Sequence, residues 1–324
     1  MKEAKFPKVI TSLDEQILRT LLYYDIFHYP LTRGEVHKFL GAPADESIIT
    51  SRLGYLRDHQ IIFQFDEFFS LENDRHSIDR RVKGNLKAKE FLILAQKKAT
   101  FISKFPFVRG VLASGSLSKG YMDDQSDLDF FIITKPGRLW IARTLLVFYK
   151  RLFLLNSHKY FCVNYFVDED HLEIEEKNLF TATELATVIP LCGATQYQRL
   201  HGANSWLREF FPNFFKRSTD NVPETALLWT KSVLEGFINL CFGNSIEKYF
   251  HHITCSRWKR LYGKNYSASD FKVAFKSKSY ASKNHPRNFQ RTVVEIYDEK
   301  LRSFGLRHKT TNGALVTPNY SEHY

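Results

Sequence analysis

Cysteine is scarce in this chain: four among 324 residues, at no regular spacing. That excludes a disulfide scaffold and fits a reducing cytosol, so a cytoplasmic protein is expected. The opening stretch MKEAKFPKVITSLDEQ contains no apolar run able to act as a signal peptide. The most apolar segment, Leu139 to Leu155, is interrupted by Arg143, Lys150 and Arg151, so no membrane span is expected. Internal repeats and low-complexity tracts are also missing. What is abundant is apolar bulk. Hydrophobic residues make up 44% and aromatic ones 15%, enough to offset ordering entropy and to exclude a disordered chain. The length suggests two or three modules.

Charge is distributed unevenly. The net of +11 hides a first module, Ser12 to Glu72, with five basic and ten acidic residues, and a last stretch, Ser256 to Tyr324, with fourteen basic and five acidic. A local excess of that size suggests a surface facing a polyanion. The interleaved aromatics Trp258, Tyr262, Tyr266, Phe271, Phe275 and Tyr280 would suit a single strand; a solvated basic face is the alternative.

Local patterns divide the chain. Ser12 and Glu15 have the spacing of a capping box, as do Thr32 and Glu35, and each precedes a helical pattern. A third helix is expected over Asp45 to Asp58, with Ile48, Ile49, Leu53 and Leu56 on its apolar side. Two short strands, Ile61–Phe65 and Phe68–Leu71, follow around an Asp66-Glu67 turn. Three helices and a hairpin are the order of a winged helix over residues 1–72. Its acidity favours docking to protein over DNA, because phosphate contact requires cations. Residues 73–104 predict a connecting helix, 105–190 a mixed-sheet domain, 191–309 a helical basic domain, and 310–324 a flexible tail. The fold class is therefore α+β.

The informative stretch is Val108 to Thr134. A short apolar strand, Val111–Ala113, breaks at Ser114-Gly115-Ser116 and leads to a helix start. Asp127 to Thr134 then reads as a second strand. Glycine allows close backbone approach, and free N–H groups at a helix start favour phosphate. Asp127 and Asp129 are two residues apart, so on a strand they share a face. Two adjacent carboxylates repel unless a cation neutralises them, and hard oxygen ligands select Mg²⁺ or Mn²⁺.

Here the sequence resembles the DNA polymerase β-like nucleotidyltransferase superfamily, whose motif is Gly-Ser, a variable spacer, then Asp-x-Asp on the next strand. The match is Gly115-Ser116, ten intervening residues, then Asp127-Leu128-Asp129. The resemblance implies a nucleotidyltransferase domain in which Gly115 and Ser116 hold a nucleoside triphosphate, with Lys119 facing the phosphates. It also implies that Asp127 and Asp129 bind the catalytic divalent ions, and that NMP passes to an acceptor, whether small molecule, RNA or protein. A third carboxylate is expected on the next strand, Tyr160–Val167, where this chain has Asn164. Asn164 offers a metal an amide oxygen without charge, and Asp168, Glu173 and Glu175 are nearby acids able to replace it. The competing reading is a catalytically impaired nucleotide- or nucleic-acid-binding protein. Further on, Thr181 and Glu184 look like another capping box, and Trp206, Phe210 and Phe211 look like core aromatics. His251, His252 and Cys255 lack a second cysteine pair for zinc. Lys283, His285, Arg287 and Arg291 are basic candidates for contact with acceptor or triphosphate.

Overall fold

The computed structural model describes residues 10–155, 159–225, 228–240, 243–286 and 288–306; the expected tail at 310–324 lies outside them. The chain runs α1 (Ser12–Asp25), β1 (Leu31–Thr32), α2 (Arg33–Lys38), α3 (Glu46–Asp58), β2 (Phe63–Phe65) and β3 (Phe68–Ser70). Next come α4 (Arg75–Ile102), β4 (Val108–Ser114), α5 (Gly115–Ser118), β5 (Asp129–Thr134), α6 (Leu139–Phe153) and β6 (Cys162–Asp168). They are followed by α7 (Leu179–Thr187), β7 (Ile189–Cys192), α8 (Ala194–Ala203) and α9 (Leu207–Phe210). The last elements are α10 (Trp229–Leu240), α11 (Gly243–Tyr262), α12 (Ala268–Ala274), β8 (Ala281–Lys283) and α13 (Phe289–Ser303). The fold is α+β, and among the described residues no helix is long and apolar enough to cross a membrane.

Two compact units emerge. Described residues 10–82, 206–215 and 289–306 form the first, and 83–205 and 216–288 the second. In the first unit, α1 is capped one residue earlier than its pattern suggests. Thr11 is the N-cap and Asp14, not Glu15, completes the box. Arg52 on α3 decides between the two overlapping registers by donating from Nε to Asp14 Oδ1 at 2.8 Å, a charge-assisted bond that only the Asp14 register permits. Thr32 and Glu35 form their box as expected. On α3, Ile49, Leu53 and Leu56 are buried, whereas Ile48 stays 48% exposed. The hairpin turns at Asp66, which has φ +53, and its strand β3 is central in the antiparallel order β1-β3-β2. The unit is completed from far along the chain. Tyr297 of α13 sets its ring edge on Tyr23 at 5.6 Å, and its hydroxyl donates to the Arg19 carbonyl at 3.3 Å. Phe211, after α9, meets Phe39.

The second unit is built on a five-stranded mixed sheet of order β7-β4-β5-β6-β8. Strand β4 is antiparallel to β5 and β7, β5 is parallel to β6 across α6, and β8 is antiparallel to β6. The stretch 191–309, expected to be helical, thus also supplies the edge strand β8. One sheet face buries Val111, Ala113, Phe130 and Ile132 with Ala95 and Ala99 of α4 and Leu146 of α6. Each fully buried aliphatic or aromatic side chain there contributes about 1.5–3 kcal/mol. The basic region's aromatics belong to this core. Tyr262 and Phe271 both stack on Phe275, at 4.8 and 4.9 Å, and Trp258 is buried beside them. Tyr280 stacks on His171 at 4.3 Å. Trp258, Tyr262, Phe271 and Phe275 thus pack on one another, whereas Tyr280 lies outside this cluster against a half-exposed histidine.

Candidate functional site

Strand pairing brings the two halves of the motif together. The register sets Ser114, the last residue of β4, opposite Asp129, the first of β5. The chain leaving β4 at Gly115 therefore runs beside the chain entering β5. Gly115 has φ +64, and a Cβ there would overlap Asp129 Oδ2. Left-handed backbone and close approach both demand glycine. The following helix, α5, spans only four residues, too short for the expected helix-dipole contribution to a phosphate site. What remains is a tied turn. Lys119 Nζ donates to the Gly115 carbonyl at 3.2 Å and to Glu184 Oε1 at 2.6 Å, and Ser118 Oγ donates to the same carbonyl. Ser116 is half-buried, and its hydroxyl makes no hydrogen bond among the described residues.

The acids differ in setting. Asp127 precedes β5 instead of lying on it; chain pairing on the β6 side begins only at Leu128, which bonds Lys159 and Cys162 through its backbone. Asp129 is half-buried, and its Oδ1 accepts from Asn164 Nδ2 at 2.9 Å. A bulge explains that contact. Phe130 pairs with Val163 and Phe131 with Tyr165, so Asn164 is the extra residue, and bulges re-aim side chains. Asn164 Oδ1 accepts from the Cys162 thiol at 3.1 Å. The amide oxygen expected to face a metal is thus engaged, and Asn164 acts as a donor to Asp129.

Burial pushes the Asp129 carboxyl up to about 7, and Asp127 and Glu184 add to the rise against the opposing Cys162 and Lys119. Glu184 is the acid the sequence pattern concealed. Helix α7 is capped by Asn178, whose Oδ1 accepts from Thr181 N. Thr181 is therefore inside the helix, and Glu184 is free to face Lys119. The three acids proposed as replacements for Asn164 lie elsewhere. Asp168 pairs with Thr134 at the opposite end of β6, six residues or about 20 Å from Cys162, and holds His171. Glu173 pairs with Lys177. Glu175 is pulled down to about 2 by Lys278, Tyr280 and Lys276. Among the described residues, no three or more His, Cys, Asp or Glu are grouped to hold a metal ion. A groove of about 490 Å³ over Phe91, Leu94, Tyr160 and Phe161 includes none of the site residues.

No family model, no curated protein and no solved structure matches the chain.

Of the late basic candidates, Lys283 comes nearest. It pairs across strands with Tyr165, which stacks on Phe131 at 4.9 Å. Phe131 and Asp129 alternate onto one sheet face, so Lys283 lies on the same face as the acid. Burial disfavours its charge, whereas Glu176 and Glu184 favour it. Arg291 pairs with Glu295 on α13 in the first unit, and Arg287 lies outside the described residues. His251 is engaged structurally, bonding the Ser277 carbonyl and stacking on Trp140. His285 is pushed down to about 4, first by burial and then by Lys283, so it is neutral in the folded protein at pH 7. The unfolded chain takes up that proton near pH 6.5, and stability therefore falls as pH drops from 6.5 towards 4, by up to about 3 kcal/mol. Replacement His285→Gln is expected to remove this component, read as a flatter unfolding free energy between pH 7 and 4; an unchanged slope would refute it.

Proposed function

We propose that the second unit is a divalent-metal-dependent nucleotidyltransferase that moves NMP from a nucleoside triphosphate to an acceptor hydroxyl. One observation carries the reading: the Ser114–Asp129 pairing, which sets the Gly115 backbone directly against the Asp129 carboxylate. The turn and the Asp129 carboxylate are thereby neighbours, and Asp127 is near enough to act on Asp129 through its charge. Mg²⁺ commonly uses one or two carboxylates and completes its shell with phosphate and water. Asp127 and Asp129 suit that role. Burial, with a smaller push from Asp127 and Glu184, disfavours the charged form of Asp129, and a bound cation would favour it. Bound there, the ion would neutralise the phosphates and activate the acceptor hydroxyl.

The chain's own residues do the positioning. Gly115 allows the phosphates close to the backbone, and the Ser116 hydroxyl is available to donate to them. Lys119, anchored by Glu184, offers positive charge beside the turn. The acceptor oxygen forms a bond to the α-phosphorus as the bond to pyrophosphate breaks, and alignment with preorganised charge supplies most of the rate. The first unit's helix–strand–helix–helix–hairpin order supports a winged helix, and its acidity supports a protein partner over DNA.

A second reading rests on Asn164. With an amide donating to Asp129 where a third acid is expected, the site would bind nucleotide without transferring it. Incubating the protein with each α-labelled NTP and Mg²⁺ or Mn²⁺ separates the two. Transfer of label to a small molecule, RNA or protein that disappears in Asp127→Ala plus Asp129→Ala supports the enzyme; metal-dependent binding without transfer supports the second reading. Asn164→Asp is expected to lower the melting temperature by several degrees in chelator, through carboxylate repulsion with Asp129, and to regain it with Mn²⁺.

A further inference from the structure

A buried arginine on α6 has no acid to meet. Arg143 is 7% exposed, and its guanidinium carbon lies 4.8 Å from the ring of Trp258 and 5.7 Å from that of Trp140. Among the described residues it makes no hydrogen bond and no ion pair. The charged groups that act on it are Arg151, further along α6, and Arg257 on the packed helix α11; both repel it. Its remaining titratable neighbour is Cys255, a thiol that burial keeps protonated. Arg151 and Arg257 are themselves exposed and unpaired among the described residues. Arg257 adjoins Trp258 on α11 and Arg151 follows Arg143 by about two turns of α6, so three arginines lie along the packed α6–α11 pair, with no carboxylate among the groups that act on Arg143.

Buried arginines are almost always paired, because an uncompensated buried charge is costly. The tryptophan rings support the guanidinium through cation–π attraction, but they accept none of its five N–H groups. Those N–H groups form a planar fork whose geometry matches two oxygens of one anion. We propose that the α6–α11 face built from Arg143, Arg151 and Arg257 is a second anion site that takes a compact phosphate-bearing ligand. Three positive charges suit a dianionic phosphate better than a single carboxylate. A nucleic-acid strand is disfavoured because the neighbouring rings are used up: Trp140 stacks on His251 and donates to the Lys278 carbonyl, and Trp258 is packed with Phe275. The site is separate from the Gly115–Asp129 turn and stands whether or not nucleotide is transferred there.

The test uses the full chain with chelator in every buffer, so that the acid pair recruits no metal-bound phosphate. Inorganic phosphate and pyrophosphate at about 10 mM are expected to raise the melting temperature by roughly 2–4 °C. Calorimetric titration is expected to show about tenfold weaker binding for Arg257→Gln. The decisive variant is Arg143→Met, which keeps the apolar stem and removes the charge. It should melt at or above the wild-type temperature without ligand and lose the phosphate response. A purely structural arginine would instead melt lower on replacement. Phosphate shifts that persist in both variants would overturn the site, as would no shift in the wild type. A single-stranded RNA oligonucleotide that binds through these arginines while phosphate and pyrophosphate do not would overturn the ligand class.

Discussion

Asp129→Asn is expected to abolish nucleotide transfer, by at least about a thousandfold, while the metal-free protein becomes more stable. The two outcomes share a cause. Asp129 is half-buried beside Asp127 and Glu184, and its carboxyl is pushed from 3.8 up to about 7. Each unit corresponds to about 1.4 kcal/mol; because the group keeps part of its water, a cost of about 2–4 kcal/mol at neutral pH is reasonable. The replacement amide oxygen still accepts from Asn164, so the geometry survives. The sign is fixed by linkage. Between pH 3.8 and 7 the folded protein holds a proton that the unfolded chain has released, so wild-type stability declines as pH rises through that window. Thermal unfolding in chelator from pH 4 to 8 should show this decline in the wild type and not in the variant. Undiminished transfer by the variant would end the proposed chemistry.

Gly115→Ala should be the most damaging single change in the turn. At φ +64 an alanine pays about 1–2 kcal/mol in backbone strain, and its methyl group would overlap Asp129 Oδ2, forcing the acid from its place. A loss of about 2–4 kcal/mol and a fall in transfer of about a hundredfold are expected. Gly120 provides the control. It has φ +73, but nothing lies within 4 Å of where its Cβ would be. Gly120→Ala therefore carries the strain without the displacement, and should lose stability while transfer stays within a few-fold. Equal transfer in the two variants would show that contact with the acid is not what Gly115 provides.

What could be read beforehand was local. The Gly-Ser break and the two flanking apolar strands are visible in a 27-residue window, because strand, turn and strand each have their own composition. Thr32 and Glu35 were equally legible, since a capping box involves only neighbours. At the start of α1, however, Thr11–Asp14 and Ser12–Glu15 overlap, and the choice belongs to Arg52, 38 residues from Asp14. Asn164 and Glu184 were hidden for the same reason. The first is aimed by a bulge that exists only once β5 and β6 pair, and the second by a cap at Asn178 and a lysine 65 residues earlier. Aromatics mixed with lysines have one composition whether they stack on bases or on one another; burial alone distinguishes them. Arg143 counted only as an interruption of an apolar segment, and its isolation from acids is a property of α6 packed on α11.

The bond from Tyr297 to Arg19 spans 278 residues. At about 5–20 residues per second on the ribosome, the amino-terminal helices emerge roughly a quarter of a minute to a minute before α13 exists to cover Tyr23. Throughout that interval their apolar side is a nascent surface that a chaperone would have to shield, and the appearance of α13, rather than emergence of the first helices, becomes the moment at which this unit can finish folding.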